Sequence, residues 1–506
     1  MKFDVILIGG GLSSLVCGIR LQKAGRKCLM VSAGQNALHF SSGAFGLLGS
    51  LPDGTAVRYP LEAIPSLPAG HPYAKIGVGK IAEYAAMAPG FFESCGVHLV
   101  GAGPAAAAPG TAVALASATA AAPAAVAATP AGPATVAAVA PGAVDDGPAA
   151  AAPGAADAAG VAVPASAGPG AAAAAADPVL RSVRNGFRFT ATGTMKPAWL
   201  AMSEVAFFPT EEALRDSDGA PVESALIVNF AGFLDFNARF IAEGLEKNGI
   251  RCRLETVRID DVERLRKNPS EMRSVNIARV MTREQNWKGF AYQVKELMKG
   301  EDMVVLPEVF GLGGELIPQW LSEMIPAKVT YVGTMPPSVC GIRTQMRLKE
   351  AFESAGGTFL LGDEVLDPDV EDGRVLCVRT SNLGSMRLVA DSYVLASGNL
   401  FGNGLTAAPG EFREPVFGLD VDYPSDRSDW YDPDFFAKQN YIGVGVKTDG
   451  AFHPYIAGRV VENLYVAGSE VGGCNSLAEG SGAGVAIMTA FKVADGILGR
   501  QEPANA

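Results

Sequence analysis

The first 32 residues constrain the fold more than any other stretch. An apolar run, Phe3–Ile8, leads directly into Gly9-Gly10-Gly11. Leu12–Ala24 then has the spacing of an amphipathic helix, and Lys27–Ser32 is a second apolar strand. Strands that are apolar at nearly every position are buried on both faces, which requires helices above and below a parallel sheet. In such a β-α-β unit the first glycine makes the turn and the second lets backbone approach a phosphate. The phosphate then rests on the helix N-terminus, where unpaired N–H groups and the helix dipole favour an anion. The third small position is Ser14 in place of the usual glycine, and Ser13 precedes it. A glycine triplet alone is weak evidence; placed between an apolar strand and a helix it predicts nucleotide or flavin binding.

The second strand ends Met30-Val31-Ser32-Ala33-Gly34-Gln35, with no Asp or Glu to hold an adenosine ribose. That favours FMN, which has no such ribose. FAD stays open as the alternative, because Ser32 or Gln35 could donate a weaker hydrogen bond. Leu38-His39-Phe40-Ser41-Ser42-Gly43 follows, where flavoproteins with this opening run along the isoalloxazine ring. His39, Ser41, Ser42 and Gly43 are therefore expected flavin contacts, and His39 is also a candidate proton carrier. Far along the chain, Val394–Gly398 and Glu462–Gly468 are further strands ending in glycine. Gly480-Ser481-Gly482-Ala483-Gly484 then opens a helix over Val485–Leu498 that could face the flavin. Gly398, Gly468, Gly482 and Gly484 complete the expected cofactor contacts.

The expected fold class is thus α/β: a Rossmann-like flavin-binding domain, with a parallel sheet plus β-meander, a second α/β domain and a low-complexity insert. Residues 1–100 and 351–506 are read as the two parts of the flavin-binding domain, the meander lying within 358–396. Residues 101–177 are almost wholly Ala, Pro, Gly and Val. They lack the large side chains needed to offset ordering entropy, so they read as a spacer. Residues 178–224 connect to a second α/β (cap) domain over 225–350. The formal net charge of −12, with basic residues scattered, points away from nucleic acid. Seven cysteines without a C-x-x-C pair make an iron–sulfur cluster or structural zinc unexpected, so no metal is assigned. No stretch reads as a bilayer span of Leu/Ile/Phe type, and no leader peptide is expected.

IGGGLSSLVCGIRL, SAGQNALHFSSG, FAGFLDF, NPSEMRSVNIARV, TMPPSVCGIR, REPVFGLDV and NLYVAGSEVGG together resemble the B subunit of the anaerobic glycerol-3-phosphate dehydrogenase. The resemblance covers most of the chain outside the alanine-rich stretch, which departs from the family. It implies an FMN protein that joins two partners at the inner face of the cytoplasmic membrane: the catalytic flavoprotein A subunit, and the iron–sulfur, membrane-associated C subunit. Together they would oxidise glycerol 3-phosphate and send electrons to the quinone pool. Arg343 and Arg347 lie one helical turn apart and are candidates to clamp the substrate phosphate, with a plain salt bridge as the alternative. Two other readings stay open: a stand-alone oxidoreductase of the fumarate reductase type, and a scaffold protein without flavin.

Overall fold

The computed structural model describes residues 2–34, 36–102, 179–205, 222–434 and 437–500. Gln35, most of the Ala/Pro/Gly-rich stretch and part of the connecting segment lie outside the described residues. The described residues belong to one compact unit.

In chain order the elements that position the site are β1 (Lys2–Ile8), α1 (Leu12–Lys23), β2 (Cys28–Ser32), β3 (Ser224–Phe230), β4 (Arg251–Val257), β5 (Met303–Pro307) and β6 (Lys328–Val332). They continue with α2 (Val339–Ser354), β7 (Thr358–Leu361), β8 (Val389–Leu395), β9 (Leu464–Val466) and α3 (Gly482–Gly499). Five strands make the main sheet in the order β7-β2-β1-β8-β9, all parallel. Val5, Ile6 and Leu7 of β1 have no exposed surface, because α1 and α3 pack together over the sheet. Burying side chains of this size contributes about 1.5–3 kcal/mol each.

The second sheet, β6-β5-β3-β4, is also wholly parallel and has its own apolar core built around Phe230, Phe290 and Phe310. The meander is narrower than the sequence pattern implies. Asp369–Glu371 and Arg374–Cys377 form an antiparallel hairpin, and a Val378–Leu388 bridge leads back into the main sheet. The flanking runs, β7 and β8, are parallel members of that sheet, since both are apolar enough to lie beside β2 and β1. α3 is long and apolar enough by composition to cross a bilayer, which its many Ala and Gly residues hide from a search for large apolar side chains. Most of it is buried inside the domain, where it is a core helix.

Candidate flavin site

The strand order of the main sheet reverses between β1 and β8, and ligands of open α/β sheets bind in the crevice beyond the strand ends at such a point. Gly9 leaves β1 there at φ +112°, a conformation that favours glycine, and a Cβ on it would run into the Ala396 carbonyl. Gly398, three residues past the neighbouring β8, sits at φ +111°. Gly10 lies against the Ser32 side chain, whereas Gly11, the N-cap of α1, faces open space, as does Gly34. The first turn of α1 has no acidic residue and no side-chain cap, so its N–H groups remain available to an anion. Gly468, two residues past β9, sits at φ +79° with no room for a Cβ beside Ser13 Oγ, and Ser14 Oγ is buried without a partner.

The loop after β2 is held at both ends. Asn36 Nδ2 donates to the Gly10 carbonyl at 2.5 Å, while its Oδ1 caps Ala37–Phe40 by accepting from Leu38 N at 2.9 Å. α2 begins against the loop: Ser338 N donates to the His39 carbonyl at 2.9 Å, and Ser338 Oγ donates to the Ser41 carbonyl. His39 is half-buried; burial lowers its imidazole pKa, against an opposing hydrogen bond with Gln345. Gly43 has no room for a Cβ beside Cys340. Further on, Gly484 N donates to the Gly46 carbonyl at 2.8 Å, and Gly49 N to the Glu479 carbonyl at 2.7 Å. The stretch from Asn36 to Gly49 therefore links the N-terminal glycine turn to Gly482 and Gly484 at the start of α3.

Three buried acids near these elements are absent from the sequence reading. Glu470 accepts from Ser397 N at 2.8 Å and from Ser397 Oγ at 3.0 Å, so it holds the turn after β8. Burial and then Glu414 push its pKa well up. Glu479 is also buried, but hydrogen bonds from His71, Asn475 and Ser481 outweigh desolvation and hold its carboxyl below the usual range. Tyr73 N donates to His71 Nδ1 at 3.0 Å, so the imidazole proton sits on Nε2 and points at Glu479 Oε2, 3.1 Å away. His71, Cys474 and Glu479 have the composition of a metal site, with ligand atoms within 4.8 Å of one another. The protonated Nε2 leaves no lone pair there for a metal.

Glu308, at the end of β5, is fully buried with neither oxygen hydrogen-bonded. Arg343 Nη2 is 3.4 Å away, but that guanidinium bonds to Glu204 and to the carbonyls of Phe310 and Gly311. Burial therefore prevails and pushes Glu308 up to about 8. Arg343 and Arg347 do share a face of α2 and line one cavity of about 170 Å³ with His98, Glu204 and Glu315. Neither guanidinium is free: Arg347 donates to the Gly313 carbonyl at 2.9 Å and pairs with Glu350 at 3.0 Å.

Residues 4–485 match the family described as FAD binding domain. The anaerobic glycerol-3-phosphate dehydrogenase B subunit of Yersinia pseudotuberculosis is 32% identical over 502 residues, covering 98% of each chain. The chain belongs to this B-subunit family. The protein of the same name from Pectobacterium atrosepticum is 31% identical, over 99% of this chain and all of that one. Among solved structures, 3-ketosteroid delta1-dehydrogenase from Sterolibacterium denitrificans aligns over 99% of this chain and all of that one at 11% identity, with a TM-score of 0.37. Family membership makes the chain the flavin-binding component of an oxidoreductase. The glycine crevice, with open space at Gly11 and Gly34 and an uncapped helix start, fits that cofactor.

Proposed function

We propose that this chain is the flavoprotein that supports oxidation of sn-glycerol 3-phosphate to dihydroxyacetone phosphate within a larger enzyme, with electrons passed to the quinone pool in fumarate or nitrate respiration. The observation that carries this reading is the near full-length kinship with a protein named as the B component of that enzyme. The partners are the catalytic flavoprotein A subunit and the iron–sulfur C subunit, which brings the complex to the inner face of the cytoplasmic membrane. Residues 1–100 and 351–506 make the flavin-binding domain in this reading, and 225–350 the cap.

The flavin is FMN. The end of β2 carries no carboxylate for an adenosine ribose, and Ser32 Oγ donates to the Gly34 carbonyl at 3.0 Å. Asp363, on the adjoining strand end, is occupied by Thr380 Oγ1 at 2.6 Å, Ser381 Oγ at 2.9 Å and Asn382 N at 2.9 Å. Gly9, Gly10, Gly11, Ser13 and Ser14 hold the phosphate; Ser32 and Gly34 border it. His39, Ser41, Ser42 and Gly43 line the ring, and Gly398, Gly468, Gly482 and Gly484 close the other side. The bound flavin supplies two-electron chemistry; the chain orients it and excludes water. Arg343 and Arg347 border the adjoining cavity, where a role toward phosphate requires Arg343 to exchange Glu204 for the substrate.

The test is the absorption spectrum of the purified chain with the released cofactor identified by mass, followed by dehydrogenase assays with and without the catalytic flavoprotein partner. One FMN per chain, and turnover only with the partner, is expected. FAD together with turnover by the chain alone would replace this reading with a self-sufficient oxidoreductase; properly folded protein without flavin would leave a scaffold.

A further inference from the structure

Arg188 lies on the strand Gly186–Phe189, within a stretch that the sequence marks only as a connector. It is 3% exposed, and it takes part in no ion pair among the described residues. Nη1 donates to the Ser42 carbonyl at 2.9 Å and Nη2 donates to Ser42 Oγ. Its titratable neighbour is Cys340, a thiol that burial keeps protonated. Burial lowers the guanidinium to about 10, so it is still cationic at neutral pH.

A charge withdrawn from water without a counter-ion costs several kcal/mol, and buried charges are ordinarily paired. Elsewhere the molecule follows that rule: Arg343 faces Glu204, and Asp261 meets Arg283 at 2.7 Å. Arg188 departs from it, at the loop that runs between the two glycine-rich segments of the flavin site. Because Ser42 Oγ accepts from the guanidinium, its own hydroxyl hydrogen is directed elsewhere, and Ser42 is only half-buried. A hydroxyl donor backed by an unbalanced cation is an anion-binding arrangement.

We propose that Arg188 and Ser42 form an anion-binding pair, completed by a negatively charged oxygen of a bound ligand. That oxygen is either the carbonyl edge of the flavin, which gains negative charge on reduction, or the phosphate of the substrate. The first source rests on the flavin reading above; the second does not.

The experiment compares the full-length chain with Arg188→Met, Arg188→Lys and Ser42→Ala. Flavin content is measured first, then the equilibrium with a redox dye of similar potential. Protection of each protein against thermal unfolding by inorganic phosphate is measured in parallel. If the flavin edge is the anion, Arg188→Met shifts the dye equilibrium toward oxidised flavin by roughly tenfold. Ser42→Ala then shifts it less, in the same direction, and Arg188→Lys restores much of the wild-type value. A dye equilibrium left unmoved, together with phosphate protection lost in Arg188→Met, assigns the anion to the substrate. Folded, flavin-loaded Arg188→Met that matches wild type in both measurements overturns the proposal. Should Arg188→Met fail to fold, Ser42→Ala decides, and no change in either measurement overturns it. A wild-type chain without flavin defeats the flavin reading alone, and the phosphate measurement still tests the pair.

Discussion

Gly9 shows how one atom can decide the site. A methyl group there would meet the Ala396 carbonyl, and its backbone sits at φ +112°, where L side chains are strained. Gly9→Ala is expected to cost about 3 kcal/mol, from overpacking together with backbone strain. A denaturant titration reads that loss, and a midpoint equal to wild type would refute it. Glu308 makes the complementary case for charge. Its folded pKa is raised to about 8 by burial, so the folded chain holds a proton there that the unfolded chain releases at ordinary carboxylate pH. The stability tied to this group is therefore fully present below the ordinary carboxylate pKa and is lost as pH rises toward 8. Glu308→Gln should remove that slope. Identical pH–stability profiles of the two proteins between pH 4.5 and 8 would show Glu308 to be paired after all.

Among elements, the loop after β2 depends on two separable bonds of Asn36. Its Oδ1 caps Ala37–Phe40, a contact whose loss costs about 1 kcal/mol, and its Nδ2 ties the loop to Gly10. Asn36→Ala should lower both stability and flavin retention. Asn36→Asp keeps the acceptor and loses the donor, so stability should stay near wild type while flavin dissociates faster. Gel filtration with flavin quantified in the protein peak separates the two effects. Equal flavin retention in Asn36→Asp and wild type would mean that the Gly10 tie has no part in holding the cofactor. α2 adds a second constraint, since Ser338 donates to both His39 and Ser41 carbonyls through its backbone and side chain.

At the scale of the molecule, two parallel sheets each have an apolar core of their own, and every flavin-site residue named above lies in 1–102 or 179–500. Residues 107–175 contribute none of them. Deleting 107–175 should therefore leave flavin content and thermal midpoint near wild type. A deletion protein that folds but purifies without flavin would overturn this. Because Leu99–Gly101 pairs with Leu200–Met202, a larger deletion that removes either strand is expected to destabilise the chain.

The β-α-β opening, the glycine-ended strands and the second α/β layer were legible in the sequence. Each is written in local periodicity: Phe3–Ile8 is apolar throughout, and the turn after it requires glycine. The same reading set the meander too wide, because apolar runs such as Thr358–Leu361 look alike in parallel and antiparallel sheets. Arg343 and Arg347 were recognised as sharing a face, which helical spacing determines; their occupation by Glu204, Glu350 and backbone carbonyls was not, since those partners come from distant segments. Arg188, Glu308, Glu470 and the His71–Glu479 pair were invisible for the same reason. A lone charged residue carries no periodic signal, and its meaning depends on burial and on partners up to 408 residues away. The chain by itself determined which elements form and where backbone can approach a ligand, because those follow from local sterics and apolar spacing. Only the tertiary structure decided which charges are left unbalanced around the flavin site, because desolvation is a property of the packed whole.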